Sequence, residues 1–283
     1  MRMIKLLDGS ELPVLGMGTW ELGENTSIWE QEVEALKLGV EEGLTLIDTA
    51  EMYGRGSSEE LIGEAIRGVM RESLYLVSKV LPSNAGGDRL EAALDATLKR
   101  LGTDYLDMYL YHWRGHYPLQ ETVDRLEEMV KKGKIRRWGV SNFDKEDMEE
   151  LLSIPGGKHC CVNQVLYHLG SRGIEYDLLP YLRQNGIPVM AYCPLAQGGA
   201  LRNRLLSNEI LKQVANKYGV NVIQLLLMFV LHQDNICAIP RSGNPEHIKQ
   251  IVEVMNMMLL EEDYTIISNE FPAPDHKTAL DKV

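Results

Sequence analysis

Five short apolar runs in this 283-residue chain end in polar side chains: Asp48, Lys79, His112, the pair Ser141-Asn142, and Gln164. A carboxylate, an ammonium, an imidazole, a hydroxyl and two amides make one ion pair and a set of hydrogen-bonding groups suited to acid-base work on a small ligand. A lone lysine and aspartate read more simply as a structural ion pair. Five polar ends on successive units argue instead for a shared site. An unpaired charge in a barrel interior is costly, so Asp48 and Lys79 are expected to neutralise each other.

The elements that position these residues follow from the alternation of strand-like and helix-period segments along the chain. Strands are expected over 14–18, 44–48, 74–79, 106–112, 135–141, 161–164, 188–192 and 236–240, the number a closed (β/α)8 barrel needs. In such a barrel the C-terminal strand ends share one mouth, where Asp48, Lys79, His112, Ser141, Asn142 and Gln164 would meet. Between strands, Leu90, Ala93, Leu94, Thr97, Leu98 and Leu101 repeat at helical spacing, as do Val123, Leu126, Met129 and Val130. Gly43, Gly102, Gly133 and Gly186 stand where such helices should stop. Asp8-Gly9 predicts a hairpin closing the N-terminal mouth. The segment 208–233 divides into two helices at Gly219, and residues 271–283, with Pro272 and Pro274, read as an extended tail that crosses a barrel face. The whole chain, 1–283, is expected to be one α/β domain.

Composition excludes several function classes. An apolar content of 45% supports a sizeable core, and a net charge of -12 argues against a nucleic-acid or anionic-membrane partner. No apolar run predicts a signal peptide or a membrane span. Cys160, Cys161, Cys193 and Cys237 lack the spacing of a zinc site or disulfide frame, so reduced thiols in a cytoplasmic protein are expected. The adjacency of His159, Cys160 and Cys161 puts alternate side chains on opposite strand faces, which argues against a metal cluster there.

The runs LTLIDTAEMYG (44–54), VSK (77–79), LYHW (110–113), GKIRRWGVSN (133–142), NQ (163–164), AYCPL (191–195) and IPRS (239–242) together resemble the aldo-keto reductases over nearly the whole chain. The resemblance implies a catalytic tetrad of Asp48, Tyr53, Lys79 and His112, with Tyr53 protonating a carbonyl oxygen as hydride reaches its carbon. A free phenol, with a pKa of about 10, is a weak acid. An ammonium about 4 Å away could lower that by about three units before burial takes some back, so Lys79 is expected to acidify Tyr53, Asp48 to hold Lys79, and His112 to place the carbonyl.

No G-x-G-x-x-G or P-loop occurs, which disfavours a Rossmann domain. The resemblance instead lays a nicotinamide cofactor across the barrel mouth. It implies Gly18, Thr19, Ser141, Asn142, Gln164 and Leu195 as contacts, Tyr192 as the stacking ring, and Arg241 and Ser242 at the adenosine 2′-phosphate. The sequence departs from the family pattern at His247, where a second phosphate-binding arginine is expected, and at Ile251, where an adenine-contacting asparagine is expected. NADPH is therefore the expected cofactor, with NADH as a poorer alternative and a preference that weakens as His247 loses its proton.

Trp20 and Trp113 match positions that line the substrate pocket, whereas Trp29 and Trp138 read as packing residues. The short segment 114–117 predicts a shallow, open mouth for small carbonyl compounds. VLYHLGSRGIEYD (165–177) and KTALD (277–281) resemble bacterial members of the family that reduce methylglyoxal. The alternatives are a diketogluconate or other keto-sugar reductase, which calls for polar pocket walls, and a cofactor-binding regulatory subunit. A monomer is expected.

Overall fold

The computed structural model describes residues 2–283. A hairpin of β1 (Met3–Lys5) and β2 (Glu11–Pro13) precedes eight strands: β3 (Gly16–Gly18), β4 (Leu46–Asp48), β5 (Tyr75–Val80), β6 (Leu106–Tyr111), β7 (Ile135–Ser141), β8 (Asn163–Leu166), β9 (Val189–Tyr192) and β10 (Ile236–Ile239). Each is parallel to its sequence neighbour, and the sheet runs from β3 to β10 without a change of order. Closure rests on single bridges, Leu15 to Ala238 and Gly18 to Arg241, with Gly18 N–H donating to Pro240 O at 2.9 Å. A Cβ at Gly18 would stand 2.8 Å from the Ile239 carbonyl oxygen, so the last seam needs a residue without a side chain.

The helices are α1 (Trp29–Glu41), α2 (Ser57–Ala65), α3 (Arg89–Leu101), α4 (Leu119–Lys131), α5 (Lys145–Ser153), α6 (Leu178–Gln184), α7 (Ala200–Ser207), α8 (Glu209–Tyr218), α9 (Val222–His232), α10 (Pro245–Glu253) and α11 (Glu261–Glu270). The buried stripe of α3 is Leu90, Ala93, Leu94, Thr97, Leu98 and Leu101, as its spacing requires. Gly102 ends that helix in the left-handed region at φ 68°, where an L side chain is disfavoured. α8 and α9 meet at 82° beside Gly219, and no single helix among the described residues is long and apolar enough to cross a membrane.

The hairpin sits under the strand starts: Asp8 pairs with Arg137 near the beginning of β7 at 3.1 Å, and Leu12 is fully buried. Most strand bounds shift by one or two residues from expectation, and the larger changes are in β3, β4 and β8. Val14 and Leu15 lie outside β3, because only an isolated bridge pairs that segment. β8 begins at Asn163 and runs past Gln164 to Leu166, while Cys161 reaches β7 only through one hydrogen bond to Trp138 O. His159 is exposed and pairs with Glu127, and the adjoining Cys160 and Cys161 thiols are buried.

Candidate active site

Side chains alternate across a strand, so Val77 and Lys79 of β5 share the inward face with Asp48, which is registered against Val77 on β4. Lys79 is fully buried, and all three of its ammonium protons have acceptors: Asp48 Oδ2 at 2.7 Å, Thr49 O at 2.7 Å and Tyr53 Oη at 3.1 Å. Gln164 Nε2 donates to the other Asp48 oxygen at 2.7 Å. Tyr53 follows β4 in a tight turn where Gly54, Arg55 and Gly56 all have positive φ, and this reversal turns the phenol back toward β5. Because Lys79 donates to Tyr53 Oη, the phenol's own proton must point elsewhere. His112, one residue beyond β6, meets Tyr53 edge to face with ring centres 6.0 Å apart.

Burial sets the direction of titration for Tyr53, Asp48 and His112, but not for Lys79. Burial pushes the Tyr53 phenol above its ordinary value, and Lys79 offsets this only in part. Lys79 thus pulls the phenol down as expected, but the net direction is upward because the cost of desolvating a phenolate exceeds the attraction of the ammonium. Burial also raises Asp48 against the pull of Lys79 and Gln164. It works against the Lys79 ammonium too, but Asp48 and Tyr53 outweigh it and leave Lys79 raised. Burial, with repulsion from Lys79, brings His112 down to about 2. Its Nδ1 is buried without a partner, and an unpaired lone pair there is cheaper than an unpaired N–H, which leaves the proton on Nε2. At neutral pH the site thus presents two uncharged donors, a phenol and an imidazole N–H.

These groups face a cavity of about 170 Å³ whose wall includes Gly18, Thr19, Trp20, Trp113, Ser141, Asn142, Gln164 and Tyr192. Asn142, in the left-handed region at φ 59°, leaves β7 sharply and donates to His112 O and Ser141 Oγ, each at 3.1 Å, while Tyr192 Oη donates to Asn142 Oδ1 at 2.9 Å. Thr19 is fully buried, its hydroxyl donating to Asp48 O and accepting from Ser58. Its hydroxyl is thus held inside the fold. Arg241 donates to Trp20 O at 2.9 Å and pairs with Glu21 at 3.3 Å. It also borders a second cavity, of about 70 Å³, with Leu195, Ser242 and His247.

Residues 14–269 match the Aldo/keto reductase family. The chain belongs to that family. It is 50% identical over 282 residues to methylglyoxal reductase YeaE of Escherichia coli K12, covering 100% of this chain and 99% of that protein. It is 37% identical to the glyoxal reductase of Bacillus subtilis 168 over 92% of this chain and 89% of the relative. An aldo/keto reductase of Klebsiella pneumoniae, solved with NADP and acetate, superposes with a TM-score of 0.96 at 49% identity, covering 99% of both chains.

Sequence reasoning missed several residues in these aldo/keto reductase cavities. Met52, Ile239 and Val283 border the first, and Arg202, Ile223, Gln224, Leu227 and Gln250 border the second. Val283 corrects the expected open mouth. The tail crosses the strand ends, tied by Ser171 to Asp281 and by Lys277 to Glu146, and supplies a wall that the short segment after β6 does not. Prolines marked the tail as extended, but no periodicity said where it packs.

Proposed function

We propose that this chain is an NADPH-dependent reductase of small aldehydes and ketones, methylglyoxal among them, with Tyr53 as proton donor. The observation that carries this reading is the hydrogen bond from Lys79 to Tyr53 Oη, which frees the phenolic proton for a ligand. Names borne by relatives, methylglyoxal reductase and glyoxal reductase, support the substrate class.

The two cavities suit a dinucleotide cofactor, since they meet at Arg241 and differ in chemistry. The first offers amides, a hydroxyl and the Tyr192 ring, apt for a carboxamide on a flat heterocycle. Ser141, Asn142, Gln164 and Tyr192 would hold that end, with Gly18 and Thr19 bordering it, and Leu195, Arg241, Ser242 and His247 would hold the adenosine end. When bound, the nicotinamide supplies hydride to the carbonyl carbon.

The chain's own residues meet the charge that then develops on oxygen. Tyr53 hands over its proton to the developing alkoxide, whose parent alcohol is by nature a weaker acid than a phenol. Lys79, kept charged by Asp48, stabilises the phenolate left behind. His112 donates a hydrogen bond to the same oxygen from Nε2 and orients it. Trp20 and Trp113 give the pocket aromatic walls, which favour a small 2-oxoaldehyde over a keto-sugar.

The reading includes a single cytoplasmic domain acting as a monomer, which light scattering on the purified chain and cell fractionation check. The activity is tested by following oxidation of NADPH and NADH with methylglyoxal, nitrobenzaldehyde and a keto-sugar. NADPH-dependent turnover of the first two is expected. Cofactor binding without turnover of any carbonyl would favour a regulatory role instead.

A further inference from the structure

Any anionic cofactor approaching this chain meets an unfavourable background, because the net charge is -12. Local cations must compensate, and the most evident one, Arg241, is already engaged by Glu21 at 3.3 Å. His247 is exposed, and its imidazole lacks the planar fork with which a guanidinium meets a phosphate. Arg202, from the first turn of α7, also borders the same cavity. It is half-buried, and among the described residues it has no ion pair and no side-chain hydrogen bond. Two guanidiniums bordering one cavity whose lining includes no carboxylate are an arrangement that an incoming phosphate stabilises.

The rest of the cavity agrees with an adenosine phosphate. Ile223, Leu227 and Ile251 provide an apolar floor, and Gln224 and Gln250 add amides that are already fixed: Gln224 Nε2 donates to Gln250 O at 2.9 Å and to Glu253 at 2.7 Å. Ser242 is buried at the start of α10, where its Oγ accepts from Asn244 N–H at 3.1 Å. Arg202 does not border the cavity that contains Tyr53, so its charge acts on the adenosine end.

We infer that Arg202 is the second cation for the 2′-phosphate of NADPH, taking from α7 the part that an arginine at position 247 would have played from α10. The inference rests on the proposed use of a nicotinamide cofactor. It reverses one expectation from the sequence. A guanidinium stays charged throughout the working range, so the preference for NADPH holds as pH rises instead of fading with a histidine.

The test is fluorescence titration of the full chain and of Arg202→Met with NADPH and, separately, NADH. Losing a charge-assisted bond to phosphate should weaken NADPH by about tenfold or more. NADH, which lacks the 2′-phosphate, should change less than about twofold, which also reports that the variant is folded. Arg202→Lys should recover part of the loss, and the wild-type ratio of the two affinities should stay level from about pH 7 to about pH 8.5, where the phosphate is fully ionised. Unchanged NADPH affinity in Arg202→Met, equal weakening of both cofactors, or a ratio that collapses with rising pH overturns the inference. If the wild-type chain binds neither cofactor, the functional reading falls with it.

Discussion

Replacing Lys79 with methionine removes a group that makes three hydrogen bonds with no exposure to water. Methionine fills similar space, so the main effect is electrostatic: Asp48 keeps only the Gln164 amide as a side-chain partner. Breaking a buried pair from one side costs about 3–5 kcal/mol, a large share of the roughly 5–15 kcal/mol that stabilises a typical fold. The cost depends on pH in a definite sense. Burial already raises Asp48 above its ordinary value, and without Lys79 nothing comparable opposes it. The folded variant therefore binds a proton at a pH where the unfolded chain does not, and the stability so gained is present at low pH and lost as pH rises. Urea unfolding of wild type and Lys79→Met should show a gap of about 3–5 kcal/mol near pH 8 that narrows toward pH 5, and Asp48→Asn combined with Lys79→Met should recover part of it. A gap under about 1 kcal/mol, or one that widens on acidification, would mean that Lys79 does not neutralise a buried Asp48 carboxylate.

Two further outcomes follow from the same geometry. His112 titrates near 2 in the fold, so below its unfolded value of about 6.5 the unfolded chain takes up protons first and stability falls. His112→Gln should remove a loss of about 1.4 kcal/mol per pH unit between about pH 6.5 and 5, measured as the difference between the two proteins' urea curves; parallel curves would contradict a buried neutral imidazole. Gly18→Ala forces a methyl against the Ile239 carbonyl at the closing seam and should destabilise the barrel by about 1–3 kcal/mol, with a matching fall in thermal midpoint; a neutral result would mean that β3 and β10 separate freely.

Much of this was legible in the sequence, for identifiable reasons. Strands buried on both faces read as apolar runs, so Asp48, Lys79, His112 and Gln164 stood out where a strand interior should contain no such groups. Tyr53 was different, because its local sequence resembles a loop and only the family pattern singled it out. The sign of its titration needed coordinates, since burial is set by neighbours far along the chain. Arg202 carried no local signal at all: it lies in a helix of ordinary polarity, and what distinguishes it is the absence of a carboxylate nearby and the presence of Arg241 and Ser242 from the far end of the fold.

Carbonyl reduction at this site requires the proton to come from the Tyr53 hydroxyl. Single-turnover reduction of methylglyoxal by NADPH-loaded Tyr53→Phe, with the NADPH dissociation constant measured alongside, tests it most directly. The rate should fall by about 10²–10⁴ while NADPH binding stays within about twofold of wild type. A variant that keeps more than about a tenth of the wild-type rate would show that the proton comes from elsewhere.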